Sequence, residues 1–222
     1  MRYIRTSPIV FLLIAFAVTP VFADTMVSLK FVGPEGNNSG GVYTYPYYFS
    51  INGSSTYTPL ICDAFNNEIS TGETWSATVT PLLNAGGMWG SSDLLDYKAA
   101  GLIFEGIVNN TIDPNAGNWA IWGLFASNAQ SNPAFITSGA AGLESTYLTQ
   151  AWTAPPNMFN GLVIYTPIGG TQSWGGTPQE FIGYATVPEP GEVSLAGLTV
   201  LLLAAALLYK TRLQARSATA QA

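Results

Sequence analysis

Cys62 is the only thiol in the chain, and there is no histidine to activate it. Without histidine, Ser-His-Asp and Cys-His catalysis, His-ligated zinc and the usual neutral-pH general base all drop out. A single cysteine also leaves no intrachain disulfide, so the fold rests on its apolar core. The carboxylates offer little in place of histidine. Asp93, Asp96 and Glu105 fall on one expected helix, whereas glycoside hydrolysis needs two carboxyls facing each other across a cleft. Asp63, Glu68 and Glu73 around Asn66-Asn67 supply oxygens of the kind calcium uses, but their spacing fits no EF-hand loop. No catalytic set, metal site or cofactor is expected. For Cys62 itself the plain reading is a small buried hydrophobe.

Charge narrows the partners. From Asp24 to Pro190, Lys30 and Lys98 stand against twelve carboxylates, a balance of about −10. Phosphate neutralisation needs clustered Lys and Arg, so nucleic acid is excluded as a partner. Trp174, in the glycine-rich stretch Gly169–Gly176, is a candidate glycan contact, as is the aromatic run Tyr43–Phe49. Trp119 and Trp122, three apart on one helical face, read as core.

The two ends are addresses. Arg2 and Arg5 precede an apolar run from Ile9 to Val18, then Pro20 and Val21-Phe22-Ala23, the layout of a secretory signal peptide cut after Ala23. The alternative is a short uncleaved anchor, but about ten apolar residues fall below the roughly 20 of a spanning helix. Near the other end, Val193–Leu208 is almost wholly apolar and is followed by Lys210, Arg212 and Arg216. A helix of about 16 residues rises roughly 24 Å, so snorkelling flanks or local thinning must complete a span. The basic side lies in the cytoplasm by the positive-inside rule, which places the main domain outside.

Pro188-Glu189-Pro190, the apolar segment and the basic end together resemble the PEP-CTERM sorting tail of Gram-negative bacteria that make extracellular polysaccharide. The resemblance implies cutting near Pro-Glu-Pro by an exosortase-like enzyme after transient residence in the inner membrane. The protein would then pass to the cell surface or the extracellular matrix, in company with polysaccharide. It covers residues 187–222 and does not bear on the domain it delivers.

Between the ends, the chain reads first as strands. Residues alternate over Met26–Val32 and again over Thr74–Pro81, and Gly41–Ile51 is packed with strand-favouring aromatics. Asn52-Gly53 signals a type I′ hairpin whose return strand would be Thr56–Phe65. The period then changes. Leu94 to Val108 carries helical spacing behind Ser92-Asp93, and Asp113-Pro114 opens a second helix reaching about Ala126. A third spans about Ala141–Ala151, and strands return at Gly161–Pro167 and Phe181–Val187. The expected fold is α+β: a single β-rich ectodomain over residues 24–186 with a central helical insert. It is flanked by the signal peptide, residues 1–23, and by a membrane helix at about 193–209.

This order of elements resembles the thioester domains of bacterial adhesins. There an early-strand Cys-Asp, a Lys-Ala-Ala-like helix and a helix opening Thr-Gln-x-Ala-Ile-Trp follow one another. The matching residues are Ile61-Cys62-Asp63, Lys98-Ala99-Ala100 and Asn118-Trp119-Ala120-Ile121-Trp122. The resemblance implies a Cys62–Asn118 thioester-like pair and a covalent adhesin as the alternative to a non-catalytic surface protein. A carbohydrate-binding module is the third reading. Asn118 stands where the family has Gln, one methylene shorter, and Gly117 where it has Thr.

Overall fold

Val27, Leu29 and Phe31 point one way along the first strand and are buried, while the residues between them are exposed. That alternation builds one stave of a barrel. The computed structural model describes residues 25–84, 86–169 and 176–185. The expected signal peptide, the Pro188-Glu189-Pro190 motif, the expected membrane helix at about 193–209 with Lys210, Arg212 and Arg216, and Trp174 lie outside the described residues.

The strands are β1 (Thr25–Pro34), β2 (Asn38–Ser39), β3 (Val42–Tyr43), β4 (Tyr47–Ile51), β5 (Thr58–Cys62), β6 (Thr74–Pro81), β7 (Leu162–Pro167) and β8 (Phe181–Tyr184). Six of them close a barrel in the order β1-β4-β5-β8-β7-β6, and β2 pairs β3 in a separate ribbon. All the barrel pairings are antiparallel. Inside, aromatic rings fill the space. Phe49 meets Phe181 with centroids 4.7 Å apart and Trp75 at 5.7 Å, and Phe31 packs on Phe49 at 5.3 Å.

The helices α1 (Leu94–Val108), α2 (Pro114–Phe125), α3 (Ser127–Gln130), α4 (Pro133–Ser138) and α5 (Ala140–Thr153) are inserted between β6 and β7. This is the central helical insert the sequence suggests, but it is larger. Helical residues outnumber strand residues among those described, because α3 and α4 fill a stretch with no visible period. Small residues let α1 pack closely. A Cβ on Gly101 would lie 2.9 Å from the Leu82 side chain and 3.2 Å from Leu162. Where helices cover the barrel, alternation disappears: β5 buries Leu60, Ile61 and Cys62 in succession, and β7 buries Leu162 through Tyr165. Among the described residues no helix is long and apolar enough to cross a membrane.

Local chemistry sets several boundaries. The expected strand Gly41–Ile51 breaks in two at Pro46, which has no N–H to pair and follows a cis bond from Tyr45. Asn52 and Gly53 both take positive φ, 51° and 76°, and Ser54 N–H closes on Ile51 O at 3.0 Å, the turn expected there. The return strand starts only at Thr58 and stops at Cys62, so Phe65 lies beyond it, packed on Trp119. Helix α2 starts as its sequence signals, with Asp113 accepting from Ala116 N–H at 3.0 Å and Pro114 in the first turn.

Candidate functional site

Cys62 ends β5, and the second turn of α2 brings Asn118 against it. Both are fully buried. The Asn118 amide nitrogen donates to the main-chain oxygen of Cys62 at 3.0 Å, and its oxygen accepts from the Tyr45 N–H at 2.8 Å. The sequence-matched pair is therefore brought together, but the contact runs to the main chain of residue 62. Burial, followed by the neighbouring Asp63 carboxyl, pushes the Cys62 thiol far above its ordinary pKa. A thiol so placed is not a thiolate at neutral pH, and the thiolate is the nucleophile.

The residue after the cysteine leads to a cluster that the sequence does not reveal. Glu180, just before β8, is fully buried beside Asp63 and Tyr97. Its Oε1 accepts from the Tyr97 hydroxyl at 2.5 Å. Its Oε2 accepts from Met88 N–H at 2.7 Å and from Thr166 Oγ1 at 2.5 Å. Asp63 N–H reaches the main-chain oxygen of Glu180 at 3.3 Å. The carboxylate thus ties β7, α1 and the loop before α1 to the start of β8, and the Glu180 main chain adds the link to Asp63 just past β5.

Asp63 is different. Neither of its carboxyl oxygens meets a donor at hydrogen-bonding geometry among the described residues. Burial, and then the adjoining Glu180 carboxyl, pushes its pKa well above the usual carboxylate range. Two carboxyls so close and so dry do not both ionise, and Asp63 keeps its proton. Burial and the same two carboxyls raise the Tyr97 phenol, which stays neutral.

Gly87 seals the cluster from above. A Cβ there would sit 2.6 Å from Glu180 Oε2 and closer still to the Tyr97 hydroxyl, so only glycine fits. Outside it lies a shallow cleft of about 380 Å³, lined by Thr78, Thr80, Asn84, Gly86, Gly87 and Thr166. The two carboxyls are walled off from that cleft, each at 0% exposure, so the cluster holds elements together and no substrate reaches it.

Asp93, Asp96 and Glu105 lie on or at the start of α1, as their spacing suggests. Burial, then Asp93, raises the Asp96 carboxyl. Asp63, Glu68 and Glu73 do not converge, and among the described residues no group of three His, Cys, Asp or Glu could hold a metal ion. Trp119 and Trp122 are core residues at 0% and 2% exposure, with ring centroids 4.9 Å apart. Of the Tyr43–Phe49 run, Tyr47 and Phe49 are buried in the barrel and Tyr43 is exposed.

Comparison of the chain with protein-family models, with curated proteins and with solved structures gives no match.

Proposed function

We propose that this chain is an exported, non-catalytic cell-surface or extracellular-matrix protein, sorted through its C-terminal tail by an exosortase-type enzyme. The observation that carries the reading is the run of Pro188-Glu189-Pro190, an apolar segment and a basic end in one chain with an N-terminal export signal. In this reading the barrel with its helical insert is the delivered ectodomain. The signal peptide and the membrane helix are transient parts on either side of it.

The chemistry of the described domain supports the non-catalytic half. The thiol is buried and protonated, the buried carboxyls are enclosed, and histidine is absent. No cofactor is called for. The partners are the processing enzyme, the inner membrane during sorting, and polysaccharide outside the cell.

The test is the intact mass of the protein recovered from a cell with a working exosortase. A chain running from Asp24 to a terminus near Pro190 supports the reading. A chain found in the inner membrane and still ending at Ala222 overturns the processing step.

A further inference from the structure

A second hollow, of about 540 Å³, opens where α1, α5, the turn Pro156–Phe159 and β8 meet. Glu105 of α1 and Asn109, one turn on at the helix's C-cap, form part of its wall. Tyr147 and Gln150 of α5, Asn157, Asn160 and Tyr184 form the rest of its polar lining. Its volume is within the range of small-molecule sites. No Lys or Arg lines it.

Part of this wall is held in place. The Tyr184 hydroxyl donates to Glu105 Oε1 at 2.6 Å, and its ring packs on Phe104 with centroids 5.6 Å apart. Burial, then the Glu105 interaction, pushes the Tyr184 pKa up to about 12, so the hydroxyl keeps its proton at any physiological pH. Glu105 Oε2 receives only a long contact of 3.5 Å from Asn109 Nδ2 and retains acceptor capacity. Asn109, Gln150 and Asn157 are exposed, and each presents a paired donor and acceptor.

Four amides, one carboxylate and two tyrosine rings suit a ligand dense in hydroxyls yet with apolar C–H faces. The lone carboxylate and the acidic balance of the domain disfavour an anion. Adding a strand to a free sheet edge is one way an extended peptide docks. That mode is closed here, because β8 is paired on both sides, with β5 and with β7. We infer that this groove binds a neutral saccharide, with Glu105, Asn109, Gln150 and Asn157 meeting its hydroxyls and Tyr147 and Tyr184 its ring faces. The inference goes beyond the sorting reading and does not depend on it, since every residue involved belongs to the barrel and its insert.

The test titrates the full chain, in a zwitterionic detergent without sugar headgroups, with cello-, malto-, laminari-, xylo- and manno-oligosaccharides. Oligogalacturonate serves as the charged control, and calorimetry as the readout. At least one neutral saccharide binds and oligogalacturonate does not. Glu105→Gln and Tyr147→Ala each weaken binding roughly tenfold, and Gln150→Ala weakens it severalfold. Thr149→Ala, next along α5 but outside the groove, leaves it unchanged. Gln150 is exposed, so its variant remains informative if a tyrosine variant folds poorly. Three results overturn the inference: no neutral saccharide bound at millimolar concentration, binding indifferent to Glu105→Gln and Gln150→Ala, or oligogalacturonate bound as tightly.

Discussion

The side chain of Asn118 spans the gap between the Cys62 carbonyl, 3.0 Å from its nitrogen, and the Tyr45 N–H, 2.8 Å from its oxygen. One buried amide on α2 thereby satisfies two main-chain groups, one at the end of β5 and one in the loop before β4. Asn118→Ala strips the buried Cys62 carbonyl and the part-buried Tyr45 N–H of this partner and should cost roughly 2–4 kcal/mol of stability. Asn118→Asp places an acceptor against the Cys62 carbonyl and should cost at least as much. Urea unfolding of both variants measures the loss; an unchanged midpoint for Asn118→Ala would show that water replaces the amide at no cost.

The Cys62 thiol should be inert in the native protein. Its burial raises its pKa and shuts out reagents, so labelling with an alkylating maleimide at mild alkaline pH should run at least about a hundredfold slower than in guanidinium. The intact mass should show a free thiol with no ammonia lost. A mass short by one ammonia, restored by Cys62→Ala, would instead establish a Cys62–Asn118 thioester.

Asp63 gives the fold a pH dependence whose sign follows from its raised pKa. Above about pH 4 an unfolded Asp has lost its proton while the native one keeps it, so the native state binds more protons. Its contribution to stability is fully present below about pH 4. It is lost as pH rises toward the native pKa, at up to about 1.4 kcal/mol per pH unit. Asp63→Asn, which stays neutral and can donate to Glu180, should flatten this slope and raise stability near neutrality. Asp96 and Glu144 are also raised, each chiefly by burial, so the diagnostic quantity is the difference between wild type and variant across the pH series.

Gly87 is required by the space around it rather than by its backbone. Gly87→Ala drives a methyl group into Glu180 and Tyr97 and should cost about 1–3 kcal/mol, the usual range for overpacking. Tyr97→Phe removes the hydroxyl that Glu180 Oε1 accepts from and should cost about 2 kcal/mol. In the double variant the two costs should fall short of additive, because both act on the same carboxylate. Thermal melts of the three proteins provide the check.

Local patterns in the sequence carry the elements well. Thr74–Pro81 alternates and is β6, Leu94 to Val108 keeps helical spacing and is α1, and Asp113-Pro114 opens α2. Barrel closure leaves no local trace. It depends on pairings such as Ile61 with Ile182, whose partners are over a hundred residues apart. Helix α4 carried a readable start, because Asn132-Pro133 repeats the chemistry of Asp113-Pro114 and Asn132 accepts from Ala134 N–H. Its single turn and a half shows no period. The Asp63–Glu180 pair was invisible for a different reason. A lone acid beside an apolar run looks like a strand-end surface charge, and only the β5–β8 seam makes it a core residue.

That seam is short: β5 and β8 share two residue pairs, Ile61 with Ile182 and Cys62 with Phe181, while β8 shares four with β7. A pull on β8 from its C-terminal side loads Ala185, whose N–H bonds Gly161 O at 2.8 Å, and then Tyr184. There β8 would unzip from its last residue inward, one rung at a time. Glu180 stands at the inner end of that path, bound to Tyr97, Met88 and Thr166. Under load the carboxylate is a mechanical stop, the point at which peeling a four-residue strand becomes tearing the helical lobe from the barrel.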